Sequence, residues 1–80
     1  MASKHQTKLI KHYESLGYYV INLIRTNKNG IPDLLCLKEN EPPLFVESKE
    51  KNDTLKPLQS YRIKELINLG FKAIVDKCKN

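Results

Sequence analysis

Hydrophobic and polar positions follow two different periods along this chain. On a helical wheel at about 100° per residue with Leu9 as the zero, Ile10, Tyr13 and Leu16 fall in one broad stripe. Lys4, Lys8 and Lys11 fall on the opposite side, so residues 3–16 are expected to form a helix with a basic outer face. Gln6 lies in the middle of the apolar stripe. An amide facing a core needs partners or a polar cavity. Gly17 supplies the left-handed residue that ends such a helix.

From there the period shortens. Residues 18–25, rich in β-branched and aromatic side chains, read as a first strand, and residues 26–30 as a polar loop. Residues 33–38 and 44–49 read as two more strands. The connector at 39–43 is a turn, because Pro43 cannot donate to a ladder and restricts Pro42 to extended geometry. A second helix is expected over 55–69, with Thr54 as N-cap and Gly70 as its left-handed stop. Residues 71–75 read as a last strand and 77–80 as a basic tail. The order is αβββαβ. Leu35, Leu37 and Phe45 lie on one face of the middle hairpin, and Leu34, Cys36, Leu44 and Val46 on the other. A sheet apolar on both faces needs helices on both, or a partner chain on one.

Size and charge narrow the picture. Eighty residues allow one domain, 1–80, with a thin core. The longest apolar run, 16–24, is broken by Gly17 and Asn22, and a membrane helix needs about 18 residues. No signal-peptide pattern opens the chain, so a cytoplasmic location is expected. Cys36 and Cys78 have no Cys or His neighbours at zinc-ligand spacing, and both read as reduced thiols. The formal net charge of +5, from 14 basic and 9 acidic residues, points to a polyanionic partner, nucleic acid before an anionic membrane.

The hairpin carries the sharpest chemistry. With its turn centred on Glu41, Leu37 pairs with Phe45, Leu35 with Glu47, and Asp33 with Lys49. Asp33, Glu47 and Lys49 then share one face at the open end, beyond the apolar part. Two carboxylates and an amine on an inner face are costly unless they are used. Converging carboxylates suit a hard divalent cation, and an adjacent ammonium suits a developing oxyanion or an attacking water. A simple ion pair of Lys49 with either carboxylate is the competing reading.

These residues match a family. Gly30-Ile31-Pro32-Asp33, then Val46-Glu47-Ser48-Lys49, then Gln59 in the following helix resemble the PD-(D/E)XK nucleases. More narrowly, the chain resembles the small stand-alone VRR-NUC domains of phages and bacteria, related to Holliday-junction resolvases, over nearly its whole length. The resemblance implies an α/β fold with a restriction-endonuclease-like core, a central mixed sheet flanked by helices. It also implies a Mg²⁺- or Mn²⁺-dependent endonuclease acting on DNA, branched DNA in particular, and a homodimer with no membrane partner. Asp33 and Glu47 would hold the metal together with the Ser48 backbone carbonyl. Lys49 would position or activate the attacking water, and Gln59 would line the site. Many relatives carry a glutamate on the first helix, facing the site; here the nearest candidate by spacing from the Gly17 turn is Gln6, whose amide would orient a water at the site. That departure supports the alternative of an inactive nuclease-fold module that only binds DNA or a protein.

The remaining polar residues have plainer readings. His5 and His12 share a helix flank without a third ligand nearby, and read as surface or DNA-proximal. Tyr13, Tyr18, Tyr19 and Tyr61 read as core and interface residues. Arg25, Lys28, Lys51 and Lys56 flank the carboxylate end of the hairpin, where a phosphate backbone would run, and are the expected DNA contacts.

Overall fold

Two helix ends built alike set the path of the chain. The computed structural model describes residues 4–78. Helix α1, Lys4–Ser15, stops at Gly17, whose φ of 92° lets its N–H reach Glu14 O at 3.0 Å while the Tyr18 N–H reaches Tyr13 O at 3.1 Å. The chain turns directly into strand β1, Tyr19–Asn22. Strands β2, Leu34–Leu37, and β3, Leu44–Lys49, form the hairpin. Helix α2, Pro57–Asn68, then repeats the first joint. Gly70, at φ 95°, donates to Ile67 O at 3.0 Å and Phe71 to Leu66 O at 3.1 Å, leading into β4, Lys72–Lys77. Only a residue free to take positive φ closes a helix this way without strain.

The expected αβββαβ order stands, with shifted boundaries. Strand β1 ends at Asn22, three residues earlier than its composition suggests, because the Ile24 N–H folds back to Asn22 O at 3.0 Å. Thr54 is not the cap of α2. Lys56 is, extended at φ −79° and ψ 154°, since Pro57 favours the first helical position and forces its predecessor out of the helical region. Lys77, expected in the tail, is the last residue of β4. Residues 79–80 of that tail, like residue 3 of the first helix, lie outside the described residues.

The sheet is mixed, in the order β1-β2-β3-β4, with β4 parallel to β3 and the other pairs antiparallel. The hairpin register differs from the sequence reading by one residue at the turn. Leu35 faces Phe45 and Cys36 faces Leu44, so the turn is centred on Asn40 rather than Glu41. Asn40 takes φ 66°, which an asparagine tolerates better than a glutamate, and the Glu41 N–H closes on Lys38 O at 3.1 Å. The two-residue change in pairing preserves the alternation, so every side chain stays on its expected face.

Helix α1 covers one face. Leu9 and Tyr13 pack on Leu34, Cys36, Leu44 and Val46 to make the core. Leu16, placed in the same stripe by the wheel, lies beyond the helix end and is half exposed. Burial raises the Cys36 thiol to about 11, as befits a small core filler. Helix α2 lies on the other face, where Phe45 meets Phe71 with ring centroids 6.2 Å apart. Of the tyrosines, Tyr13 is buried and Tyr18 packs edge-on against it at 5.8 Å, while Tyr19 and Tyr61 are exposed.

Candidate active site

Continuing the hairpin register one step beyond Leu34–Val46 sets Asp33 opposite Glu47. The two carboxyl groups meet on the α2 face, and Lys49 stands two residues along β3 on the same face. Glu47 is 3% exposed and Lys49 8%, the only buried charged residues among those described. Lys49 Nζ lies 3.5 Å from Glu47 Oε2. This ion pair was the competing reading, and it is present together with the second carboxylate rather than instead of it.

Burial above all, and then the neighbouring Asp33 charge, pushes the Glu47 carboxyl up to about 7 against the downward pull of Lys49. A cation placed beside it would favour the ionised form. The donor set fits a hard cation: two converging carboxylates, with a backbone carbonyl at hand. Among the described residues no three His, Cys, Asp or Glu side chains gather in one place.

Strand geometry supplies the carbonyl. Asp33 Oδ2 accepts the Ser48 N–H at 2.9 Å, which fixes the carboxylate against the backbone of β3. The Lys49 carbonyl is taken from the β4 side by Cys78 N–H at 2.8 Å. Backbone groups alternate along a strand, so the Ser48 carbonyl is directed to the β2 side, toward Asp33.

Gln59 completes the cluster from the first turn of α2. Its Oε1 accepts the Lys56 N–H at 2.9 Å, which orients the amide so that Nε2 donates to Glu47 Oε2 at 3.4 Å. Gly30, at φ 81°, lets the preceding loop settle against α2, since a Cβ there would sit 2.8 Å from the Leu58 side chain. Arg62 Nε ties the same loop to the helix through Asn29 O at 2.9 Å. A cleft of about 320 Å³ opens beside Asp33 and Gln59, with Arg25 and Lys28 on its wall.

The structure thus brings together Asp33, Glu47, Ser48, Lys49 and Gln59, with Arg25 and Lys28 beside them and Lys56 at the start of α2. Lys51 stands apart, in a concavity lined with Val75–Cys78 residues at the β4 end. Gln6, expected to reach the site from the first helix, sits instead on the opposite face of the sheet, where its Nε2 donates to Asn22 Oδ1 at 2.9 Å. That explains its place on the buried stripe. His5, read as a surface residue, is instead mostly buried and bonds Asp76 Oδ1 at 3.1 Å. Two partners escaped the sequence reading. Asn22 was hidden in an apolar run, and its alternation with Val20 is the signal that puts it under α1. Asp76 lay outside the strand as first bounded.

The family model for the VRR-NUC domain matches residues 3–79. A solved structure described as a VRR-NUC domain superposes with a TM-score of 0.81 at 27% identity, covering 98% of this chain and 88% of that one. A second, described as a VRR-NUC domain protein, gives a TM-score of 0.62 at 17% identity, covering 99% and 82%. No curated protein matches the chain.

Proposed function

Because the chain belongs to the VRR-NUC family of PD-(D/E)XK-type nucleases, we propose that it is a divalent-metal-dependent DNA endonuclease whose site is Asp33, Glu47, Ser48, Lys49 and Gln59. The observation that carries this reading is the nearly inaccessible Glu47 carboxylate held against a second carboxylate and an ammonium. Stability is a weak reason for such a cluster, since replacing a buried ion pair with apolar side chains is often neutral or stabilising.

Asp33, Glu47 and the Ser48 carbonyl would hold Mg²⁺ or Mn²⁺. The metal, when bound, supplies Lewis acidity to the scissile phosphate and lowers the pKa of a bound water. The chain's own groups divide the remaining work. Lys49 positions the attacking water and offsets charge growing on the phosphate oxygens. Gln59 holds the Glu47 carboxylate in orientation. Arg25, Lys28 and Lys56 seat the phosphate backbone, and Lys51 extends the basic track toward β4. Gln6 acts from the far face, through Asn22, on the strand end beside Asp33.

We assign branched DNA as the preferred substrate and a two-fold dimer as the acting species. Two like sites suit paired incisions at a junction. Apolar side chains left exposed on the α2 side, among them Ile67, Leu69 and Val75, offer a surface for pairing. The inactive-module alternative has less support, because every charged member of the cluster is present and brought together.

Cleavage of labelled junction, flap, nicked and linear duplex DNA with Mg²⁺, Mn²⁺ or EDTA tests the assignment. Metal-dependent cutting that favours the junction is expected. Binding without cutting in either metal would select the inactive module, and sedimentation equilibrium at micromolar concentration reads the dimer.

A further inference from the structure

In the loop between β1 and β2, one side chain stands out among those that the proposed chemistry does not use. Ile24 is 82% exposed, the most exposed of the large apolar residues described. Isolated apolar side chains on a surface are ordinary. Ile24 is different because of its place: it lines the same cleft as Asp33 and Gln59, next to Arg25 and close to Lys28.

Its exposure is imposed by a well-anchored backbone rather than by a loose loop. The Leu23 N–H donates to Asp33 O at 2.7 Å, and the Ile24 N–H closes a three-residue turn on Asn22 O. Farther along, Thr26 Oγ1 donates to Lys28 O at 3.0 Å and accepts from Lys28 N at 3.2 Å. Arg62 and the close seat of Gly30 on Leu58 hold the far side. Ile24 therefore projects from a braced turn one residue from the strand pair that carries Asp33. A β-branched side chain there is stiff at χ1 and keeps its aim.

We infer that Ile24 is a wedge that enters the base stack beside the scissile phosphate, so that the enzyme selects DNA already easy to unstack. The inference deepens the nuclease reading and rests on it. Cationic neighbours hold the phosphates on either side, while the apolar tip has only bases to bury against. Apolar wedges of this kind partly unstack a base step, which is unfavourable in intact duplex. The penalty is smaller at a junction, bulge or mismatch, and that difference becomes selectivity.

Permanganate oxidation of thymines reads unstacking wherever it occurs. In an Asp33→Asn background that binds without cutting, the full chain is expected to make thymines reactive at the binding site of a junction and of a mismatched duplex. Ile24→Ser should abolish that reactivity with affinity for junction DNA changed less than about threefold, and Ile24→Phe should restore it. With Asp33 intact, Ile24→Ser should lower the preference for junction over continuous duplex by at least about tenfold. Reactivity or preference that survives Ile24→Ser overturns the wedge. So does a changed oligomeric state in Ile24→Ser, which would make the side chain a contact between copies. A wild-type chain that never cuts DNA under any metal would instead overturn the nuclease reading, whatever Ile24 does.

Discussion

The two ends of the β2–β3 hairpin are built from the same strands and obey opposite rules. Nearest the turn, Cys36 and Leu44 fill the core under α1 together with Leu34 and Val46, which pair two steps further along, and three of the four are inaccessible to solvent. At the open end, Glu47 and Lys49 are buried almost as deeply beneath α2. The first end contributes stability in proportion to the apolar area removed from water. The second strands charge in a region of low dielectric and is stable only because the rest of the domain holds it there. Substitutions should therefore separate the two ends cleanly, harming stability at one and activity at the other.

The largest effect is expected at the open end. Asp33→Asn keeps an oxygen for the Ser48 N–H but removes one negative charge from beside Glu47. Cleavage should fall by more than about 100-fold, while the metal-free protein melts at the same temperature or higher, because the repulsion is gone. A variant that cuts at the wild-type rate would remove Asp33 from the site.

At the closed end the outcome inverts. Leu44→Ala leaves a cavity in the core and should destabilise by about 2–5 kcal/mol in urea unfolding, with the rate per folded molecule nearly unchanged. A large loss of specific activity with normal stability would show that the core and the site are not separable.

A pH series on the metal-free protein sharpens the contrast. Glu47 titrates near 4.5 in the unfolded chain and near 7 when folded. The folded state then binds more protons than the unfolded one between these values, so this group's contribution is full below about 4.5 and is lost as pH rises through 7. Melting in EDTA should give a higher temperature near pH 5 than near pH 8, by up to roughly 3 kcal/mol of stability. Mg²⁺ should flatten the slope by stabilising the ionised carboxylate, and Asp33→Asn should reduce it. A metal-free slope that rises with pH instead would mean that Lys49 outweighs burial and Asp33 at Glu47.

Most of the scaffold was legible because it rests on local rules. Gly17 and Gly70 after apolar-periodic runs marked both helix ends, and alternation placed Asp33, Glu47 and Lys49 on one face even with the turn centred one residue away. The exact register was not legible, since it depended on Asn40 taking positive φ and not on any pattern in the strands. The start of α2 shifted for a related reason. Thr54 has the chemistry of a cap, but Pro57 and the reach of Gln59 back to Lys56 decide the position. The partners of His5 and Gln6 were out of reach because both are long-range pairings, to Asp76 and Asn22, that only the assembled sheet brings close.

The smallest expected effect belongs to Gln6, and it tests how far the two faces of the sheet communicate. Gln6 bonds Asn22, which pairs with Leu34, and the carbonyl of Asp33, just before β2, receives the Leu23 N–H. The amide thus braces the strand end from the core side, while the Asp33 carboxyl projects to the other. Gln6→Ala should cost about 1 kcal/mol, the usual net value of a part-buried hydrogen bond. Cleavage by the folded protein should slow by no more than about tenfold, because Asp33 remains anchored to Ser48. Gln6→Glu places a carboxylate against the Asn22 carboxamide, which can turn to donate, so folding should survive. Titration of cleavage against Mn²⁺ then gives the decisive reading. An unchanged metal dependence keeps Gln6 in a bracing role across the sheet. A steeper dependence on Mn²⁺ would show that the position reaches the metal site itself, and would join the core face to the chemistry.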